Sequence, residues 1–183
     1  GWDKSWGVLY NWAGATNNEN GSTGNQSDAA YDTNYEKIPG VCPTGWYLPS
    51  DRDWNDLEKV IRDDASGVYS DTETSNVLDG TWRTDTGYRG NHGTKMKSNE
   101  QIGSQPPNGT SKSALTGGFA ALLVGGVGNG SRNLFGENTY FFSSSSNSGT
   151  GAWGRYLNYD EPGVRRASLN LSYLFSVRCK KDN

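Results

Sequence analysis

The last third of the chain restricts the fold most, because it reads as four short β-strands separated by turn residues. The strand-like runs are residues 139–146, 151–159, 163–171 and 173–181. Between the second and third runs, Asn158 to Gly163 places Pro and Gly as in a hairpin turn. Of the 183 residues only 32% are hydrophobic, but 12% are aromatic and 7 are Trp. We therefore expect a core of few, large side chains in a single domain, residues 1–183.

One helix is predicted in the first half of the chain, beginning after Ser50. Ser50 is a favourable N-cap, and Asp51 and Asp53 would lie in the first turn, where carboxylates complement the helix dipole. An apolar stripe at helical spacing follows, formed by Trp54, Leu57, Val60 and Ile61. Gly67 is expected to end the helix.

Three further patterns complete the prediction of fold class. Residues 7–14 alternate as a strand does, residues 71–79 suit a second short helix, and residues 119–124 read as a buried strand between glycines. We therefore predict an α+β fold with one or two early helices, a C-terminal antiparallel sheet and long ordered loops.

Residue patterns for catalysis are not recognisable in the chain. The one histidine, His92, lies between glycines and is expected at the surface or in a turn. The acidic pairs Asp63–Asp64 and Asp160–Glu161 suit solvated ends of a helix and a hairpin. The glycine cluster 125–130 lacks phosphate-loop spacing, and residues 71–80 match only the start of a calcium loop. We therefore expect no enzyme, no cofactor and no bound metal.

Charge, hydropathy and cysteine usage limit the partners and the compartment. The net charge is −3 without a basic stripe, so nucleic acid is not expected to bind. Apolar runs stay far below the roughly 18 residues of a membrane span, so no membrane insertion is expected. Cys42 and Cys179 lack metal-ligand spacing and are expected to form a disulfide, which indicates export. The alternative is two buried free thiols in a cytosolic protein.

The last strands carry side chains typical of recognition surfaces. Alternation sorts residues 153–160 into two faces, with Trp153, Arg155, Leu157 and Tyr159 opposite Gly154, Tyr156, Asn158 and Asp160. The next strand alternates likewise, with Arg165, Ala167, Leu169 and Leu171 opposite Arg166, Ser168, Asn170 and Ser172. One face of each strand must be core, and the other mixes Tyr, Asn, Asp, Ser and Arg as antibody paratopes do. An ordinary solvated sheet face is the alternative.

Six blocks along the chain support a family resemblance: residues 9–15, 42–54, 93–98, 117–126, 140–146 and 174–182. In this order they resemble the Fibrobacter succinogenes major paralogous domain, a family similar to C-type lectin-like proteins and related to formylglycine-generating enzymes. The resemblance implies a C-type lectin-like fold and places Cys42 and Cys179 where this family tends to pair cysteines. The calcium-binding motifs of lectins are not matched, since Glu161–Pro162 is followed by Gly163.

The C-terminal stretch resembles a narrower group, the variable proteins of diversity-generating retroelements, in which a reverse transcriptase miscopies template adenines. The ligand-binding residues that this resemblance implies are Leu134, Tyr140, Gly154, Tyr156, Asp160, Glu161, Arg165, Ala167, Ser168, Leu169 and Asn170. In this interpretation Leu169 is exposed, while Trp153, Arg155, Leu157 and Tyr159 form the scaffold.

These expectations describe a binding domain displayed outside the cell, on a lipoprotein, pilus or virion. Its C-terminal sheet face and residues 125–138 would contact an unknown protein or glycan. One alternative is a fixed adhesin or carbohydrate-binding module that stacks a glycan on Trp82 or Tyr88. Another is an oxidase related to the formylglycine-generating enzymes, which would need reactive cysteines. A stalk or pilus subunit without a ligand is the last alternative.

Overall fold

A computed structural model describes residues 3–18, 37–63, 86–111 and 113–182. Its helices are α1 (Trp12–Thr16), α2 (Asp51–Asp63) and α3 (Gly93–Met96), with short 3₁₀ turns at Lys4–Trp6 and Ala114–Thr116. Its strands are β1 (Leu9–Tyr10), β2 (Trp46–Tyr47), β3 (Gly87–Arg89), β4 (Gly126–Gly128), β5 (Ser131–Asn133), β6 (Asn138–Ser148), β7 (Gly151–Asn158), β8 (Val164–Asn170), β9 (Phe175–Ser176) and β10 (Lys180–Lys181). The fold is mixed α+β, as predicted.

A six-stranded sheet in the order β1-β9-β6-β7-β8-β3 forms the centre of the domain. Strands β6, β7 and β8 are a continuous antiparallel meander, and the predicted hairpin turn joins β7 to β8. The prediction of a C-terminal antiparallel sheet is confirmed with one addition, because β9 pairs in parallel with β6. Early and late segments of the described chain meet at the sheet edge, where β1 pairs with β9.

Two predicted strands were wrong in type or extent. In residues 7–14 only Leu9–Tyr10 is strand, because the Asn11 side chain accepts a hydrogen bond from Gly14 N at 2.8 Å and starts α1. Residues 119–124 are a core segment without a strand, interrupted at Ala120 by a positive φ of 49°. Residues 125–138, which were expected to form a loop, contain the β4–β5 hairpin. The predicted second helix and Gly67 lie outside the described residues.

Helix α2 begins as predicted but buries a different side. Ser50 Oγ accepts the Asp53 amide at 3.1 Å and the Asp53 carboxylate accepts the Ser50 amide at 2.9 Å, which caps the helix reciprocally. Trp54 is buried, but Val60 is 66% exposed. The polar residues Asp51, Asn55 and Glu58 form part of the buried side of the helix instead.

Hydrophobic residues pack on both faces of the central sheet. On the α2 side the cluster contains Trp54, Ile61, Met96, Ala121, Leu123, Phe141, Leu157 and Val164. On the other side, towards α1, the cluster contains Ala15, Leu48, Phe142, Ala152, Leu169 and Phe175. The α1 side is covered only in part, and its uncovered end carries the candidate site.

The predicted disulfide is present between Cys42 and Cys179, which are 137 positions apart. Beside it, β2 and β10 pair as a small antiparallel ribbon. The bond therefore ties the segment before α2 to the strand region near the end of the chain. Both cysteines of the chain are used in it.

Candidate recognition surface

Four polar or aromatic side chains form a line across the uncovered end of the sheet. Tyr88 in β3 pairs with Arg165 in β8, Arg165 pairs with Tyr156 in β7, and Tyr156 pairs with Tyr140 in β6. Paired residues point to the same face. We call these four residues the tyrosine row. The row lies next to the α1-side cluster, since the ring centroids of Tyr140 and Phe175 are 4.7 Å apart.

The rings of the tyrosine row contact one another, and two of them are stacked. Tyr140 and Tyr156 are nearly parallel, with an interplanar angle of 9° and ring centroids 4.8 Å apart. Tyr88 follows at 5.6 Å from Tyr156, and the Arg165 guanidinium lies 5.8 Å from the Tyr88 ring centroid. Strand side chains stand roughly perpendicular to the sheet. The row therefore presents ring edges, hydroxyls and one guanidinium, whereas the ring faces largely contact each other.

Two asparagines hold the hydroxyls of the row. Asn138 Nδ2 donates to Tyr140 Oη at 3.1 Å, and Asn158 Nδ2 donates to Asn138 Oδ1 at 2.7 Å. Burial, and then the hydrogen bond with Tyr156, raise the pKa of Tyr88. Burial also raises the pKa of Tyr140. Both phenols therefore stay neutral at physiological pH and are able to donate to a ligand.

The hairpin turn beside the row is held by buried donors. Lys97 Nζ donates to the carbonyls of Asn158 at 2.7 Å and Glu161 at 2.8 Å, and burial lowers the pKa of Lys97 to about 8. Thr94 N donates to Pro162 O at 3.0 Å. The turn that displays Asp160 and Glu161 is therefore anchored to α3, so these exposed carboxylates have a defined position.

The structure divides the predicted site residues into groups. Tyr140, Tyr156 and Arg165 belong to the row, and exposed Asp160 and Glu161 lie at the turn at the same end of the sheet. Leu134 is 44% exposed near this end, where its carbonyl accepts the Asn138 amide. Ala167 is half-buried on the α1-side core. Ser168 and Asn170 are exposed, but they alternate onto the opposite face from Arg165.

Two of the predicted contact positions, Leu169 and Gly154, are buried, so the expected exposure of Leu169 is wrong. Leu169 is only 5% exposed and packs in the α1-side cluster. Gly154 is buried diagonally across from it, since Gly154 pairs with Ala167 and Leu169 with Ala152. A Cβ at Gly154 would meet Leu169 Cδ1 at 2.3 Å and Phe141 O at 2.6 Å. Leu169 fills the space that the missing Gly154 side chain leaves. The scaffold prediction holds for Arg155 and Leu157, which are fully buried.

The variant Gly154→Ser should lose about 1–3 kcal/mol of stability through overpacking, since backbone as well as side chain must shift. Gly149→Ser is the matched control, because nothing lies within 4 Å of its Cβ position. Urea denaturation of both variants tests this. Equal stability of the two would contradict the packing described.

A buried ion-pair network lies on the opposite face of the same strands. Helix α2 contributes Asp51, Asn55 and Glu58, which share one side of the helix. The strands contribute Arg89, Arg155 and Arg166, and the loop before α3 contributes His92. Asp51 accepts from Arg166 Nη2 at 2.6 Å, and Asn55 accepts from Arg155 Nη2 at 2.5 Å. Every member is nearly inaccessible to solvent.

His92 occupies a different environment from the one predicted. It is completely buried, and its Nε2 lies 3.0 Å from Glu58 Oε2. The flanking glycine explains the position, because a Cβ at Gly93 would meet Gly163 O at 2.4 Å. Gly93 is therefore a point of close backbone contact, and it brings His92 against α2.

The network and the tyrosine row are placed back to back. Each network arginine directly adjoins a row residue in sequence: Arg89 follows Tyr88, Arg155 precedes Tyr156, and Arg166 follows Arg165. Since successive strand residues point to opposite faces, each arginine anchors the strand position that displays its neighbour. This network was not predicted from the sequence, and neither were the roles of Asn138 and Phe175. The (i, i+4, i+7) spacing of Asp51, Asn55 and Glu58 was the available signal.

Stability should decrease in acid because of Glu58. Burial opposes its ionised form, but the charges of Arg89 and Arg155 and the His92 hydrogen bond outweigh burial and keep its pKa well below 4.5. A lowered carboxyl pKa stabilises the folded state above about pH 4.5, and this contribution disappears as the pH falls toward the folded-state value. Free energies of unfolding measured at about pH 7, 4.5 and 3 give the loss of stability.

The Arg89→Met variant should lose less stability in acid than the wild type, because part of the cause that lowers the Glu58 pKa is gone. An equal or steeper loss would contradict this assignment.

The described residues were also compared with the requirements of a metal site and of a membrane-spanning helix. Groups of three or more His, Cys, Asp or Glu suited to a metal ion are absent from these residues. None of the described helices has the length and apolar character needed to cross a membrane. The calcium-like segment 71–80 and Trp82 lie outside the described residues.

Together these features define a disulfide-linked α+β domain built on a six-stranded sheet. The chain belongs to the Fibrobacter succinogenes major domain family, whose model matches residues 1–181. This confirms the family resemblance. No curated protein and no solved structure matches the chain. The resemblance to retroelement variable proteins stays a prediction.

Proposed function

We propose that this domain is a non-catalytic recognition module that binds a macromolecular partner through the tyrosine row and the adjoining hairpin turn. The observation that carries the proposal is the row itself, with three tyrosines and Arg165 in register across four strands. Tyr and Arg are the residues that most often dominate binding energy at protein interfaces. The buried network behind the row and the anchored turn support a preformed site, which reduces the entropy cost of binding.

Within this proposal the partner is a protein. Sugar rings bind best against open aromatic faces, whereas the faces of Tyr140 and Tyr156 contact each other. Ring edges, hydroxyls and a guanidinium suit peptide carbonyls and carboxylates. The fixed adhesin that binds a glycan remains the second candidate. Tyr88 supports it, since this ring ends the row and is 37% exposed.

The proposal includes a C-type lectin-like fold and diversification of the exposed positions. Pairing of β1 with β9 and the Cys42–Cys179 bond, which bring distant segments together, support the fold. Exposure of Asp160, Glu161 and Arg165 supports diversification there. The proposal leaves Gly154 and Leu169 out of the diversified set, because Leu169 occupies the space that a side chain at Gly154 would need.

Location outside the cytoplasm is also part of the proposal. Disulfides persist in oxidising compartments, and a bond across 137 positions would be lost in reducing cytosol. The same bond argues against an oxidase that uses reactive cysteines, because both cysteines are paired. Surface display on a lipoprotein, pilus or virion is consistent with this location.

Peptides selected on the immobilised domain from a random phage-displayed library test the proposal. Tyr156→Ala and Arg165→Ala should each weaken binding of the selected peptides by at least about 2 kcal/mol, roughly 30-fold. Ser168→Ala and Asn170→Ala are matched controls, since these exposed residues lie on the opposite face of β8. Kd values come from calorimetry with synthetic peptides.

Two results would contradict the proposal. Selected peptides that depend on Ser168 or Asn170 but not on the row would place recognition elsewhere. Binding on a glycan array that is lost in Tyr88→Ala, with no peptide enriched, would favour the adhesin.

A further inference from the structure

A groove separate from the tyrosine row runs along the outer side of α2. It has a volume of about 390 Å³, within the range of small-molecule sites. Its apolar walls come from Trp54, Leu57 and Val60 of α2 and from Phe119. Arg178, just before the disulfide cysteine, lines it as well. Val60 is 66% exposed here, although it lies within the apolar pattern of the helix.

The charges at the groove leave one cation without an acidic partner. Asp53 lies 2.6 Å from Lys180 Nζ, and Asp56 lies 3.8 Å from Arg52 Nε. In the described part of the chain, the Arg178 guanidinium has only an aromatic contact, 4.2 Å from the Phe119 ring centroid. Burial lowers the pKa of Arg178, with no carboxylate to oppose the effect. A half-buried guanidinium without a carboxylate partner is available to pair with an anionic ligand.

Trp54 contributes apolar ring surface to the groove wall but no donor. It is 1% exposed, and its indole Nε1–H is buried and not open to a ligand. The groove therefore combines apolar walls with one guanidinium that has no acidic partner in the described part of the chain. This combination matches an apolar molecule that carries an anionic group.

We propose that the α2 groove binds a small molecule with an apolar body and a single carboxylate, whose carboxylate pairs with Arg178. A guanidinium binds a carboxylate through two parallel hydrogen bonds, so the pairing also orients the ligand. The apolar body would then lie against Leu57, Val60 and Phe119. Asp56, whose side chain is 46% exposed, also lines the groove and would repel a second negative charge, which favours a ligand with one carboxylate.

Octanoate is the test ligand, and 1-octanol is the neutral control of equal chain length. Calorimetry and Trp fluorescence should show octanoate binding to the full chain more tightly than octanol. Arg178→Gln should weaken octanoate binding at least about tenfold, as expected for losing a charge-assisted bidentate pair, and leave octanol unchanged. Lys181→Gln, which removes an exposed charge three residues away, should change neither.

Introducing a positive or a negative charge at the exposed Val60 tests the site without disturbing a buried residue. Val60→Lys should strengthen and Val60→Glu should weaken octanoate binding, each by roughly threefold, with octanol constant. The proposal is overturned if octanoate binds no better than octanol. It is also overturned if both Val60 variants bind octanoate as the wild type does. These outcomes do not depend on the folding of Arg178→Gln or on the tyrosine row.

Discussion

Replacing Arg155 with methionine is expected to lower the free energy of unfolding by about 3–5 kcal/mol. Arg155 is fully buried, and its guanidinium contacts Asp51, Asn55 and Glu58. Burial alone would lower the pKa of Arg155, but the charges of Asp51 and Glu58 raise it, so the group is charged in the fold. Methionine fills similar volume but leaves both carboxylates without this partner. Urea denaturation followed by Trp fluorescence gives the value.

Arg132→Met is the matched control for this variant. Arg132 lies in β5, is exposed, and has no ion pair within the described residues. Its replacement should change stability by less than about 0.5 kcal/mol. A loss below about 1 kcal/mol for Arg155→Met would mean that Arg89 and Arg166 compensate the carboxylates without it. Such a result would contradict the expected cost of leaving Asp51 and Glu58 without Arg155.

Removing the disulfide by the double substitution Cys42→Ala and Cys179→Ala should cost about 4–5 kcal/mol. The bond closes a loop of 137 positions, and its absence lets the unfolded chain sample many more conformations. A loss of this size is comparable to the whole stability of many domains. Thermal and urea unfolding of the double variant, with peptide binding as a second measurement, would show the effect.

Reduction of the wild-type protein with a thiol is the control for this experiment, since it removes the same link without changing the sequence. The reduced protein and the double variant should agree in stability. If both retain wild-type stability, the β2–β10 ribbon and the Lys180–Asp53 contact hold the segments together without the bond.

The ion-pair network and the tyrosine row lie on opposite faces of the same strands, which separates anchoring from recognition. Network arginines position strands β3, β7 and β8 from the α2 side, while Tyr88, Tyr156 and Arg165 lie on the other side. Exposed row residues can therefore vary without removing a buried ion pair. Gly154 and Leu169 do not have this freedom, because Leu169 occupies the space that a side chain at Gly154 would need.

Local patterns predicted the elements whose causes lie within a few residues. Ser50 and Asp53 define the start of α2, and Asn158 to Gly163 define the hairpin turn. Alternation also placed Tyr156 opposite Arg155 correctly. These features depend on capping, turn geometry and period-two alternation, all of which a sequence displays directly.

Features that depend on distant partners were missed or misplaced. Val60 was expected inside and Glu58 was not. The arginines that make burial of Glu58 favourable, Arg89 and Arg155, come from the distant strands β3 and β7. Leu169 was placed outside, because its contact with Gly154 arises only when β7 and β8 pair. His92 was expected in a surface turn, since nothing near it in sequence indicates contact with Glu58.

Capping residues, turn residues and alternation were therefore enough to predict the meander, the start of α2 and the kinds of side chain available for recognition. The disulfide was predicted with free thiols as the alternative, and the fold establishes the pairing. Which of the recognition side chains share a surface, and which are core, depends on contacts between distant segments, because burial is a property of both partners in a contact. A strand pattern specifies two faces, but the elements that pack on each face decide which one water reaches.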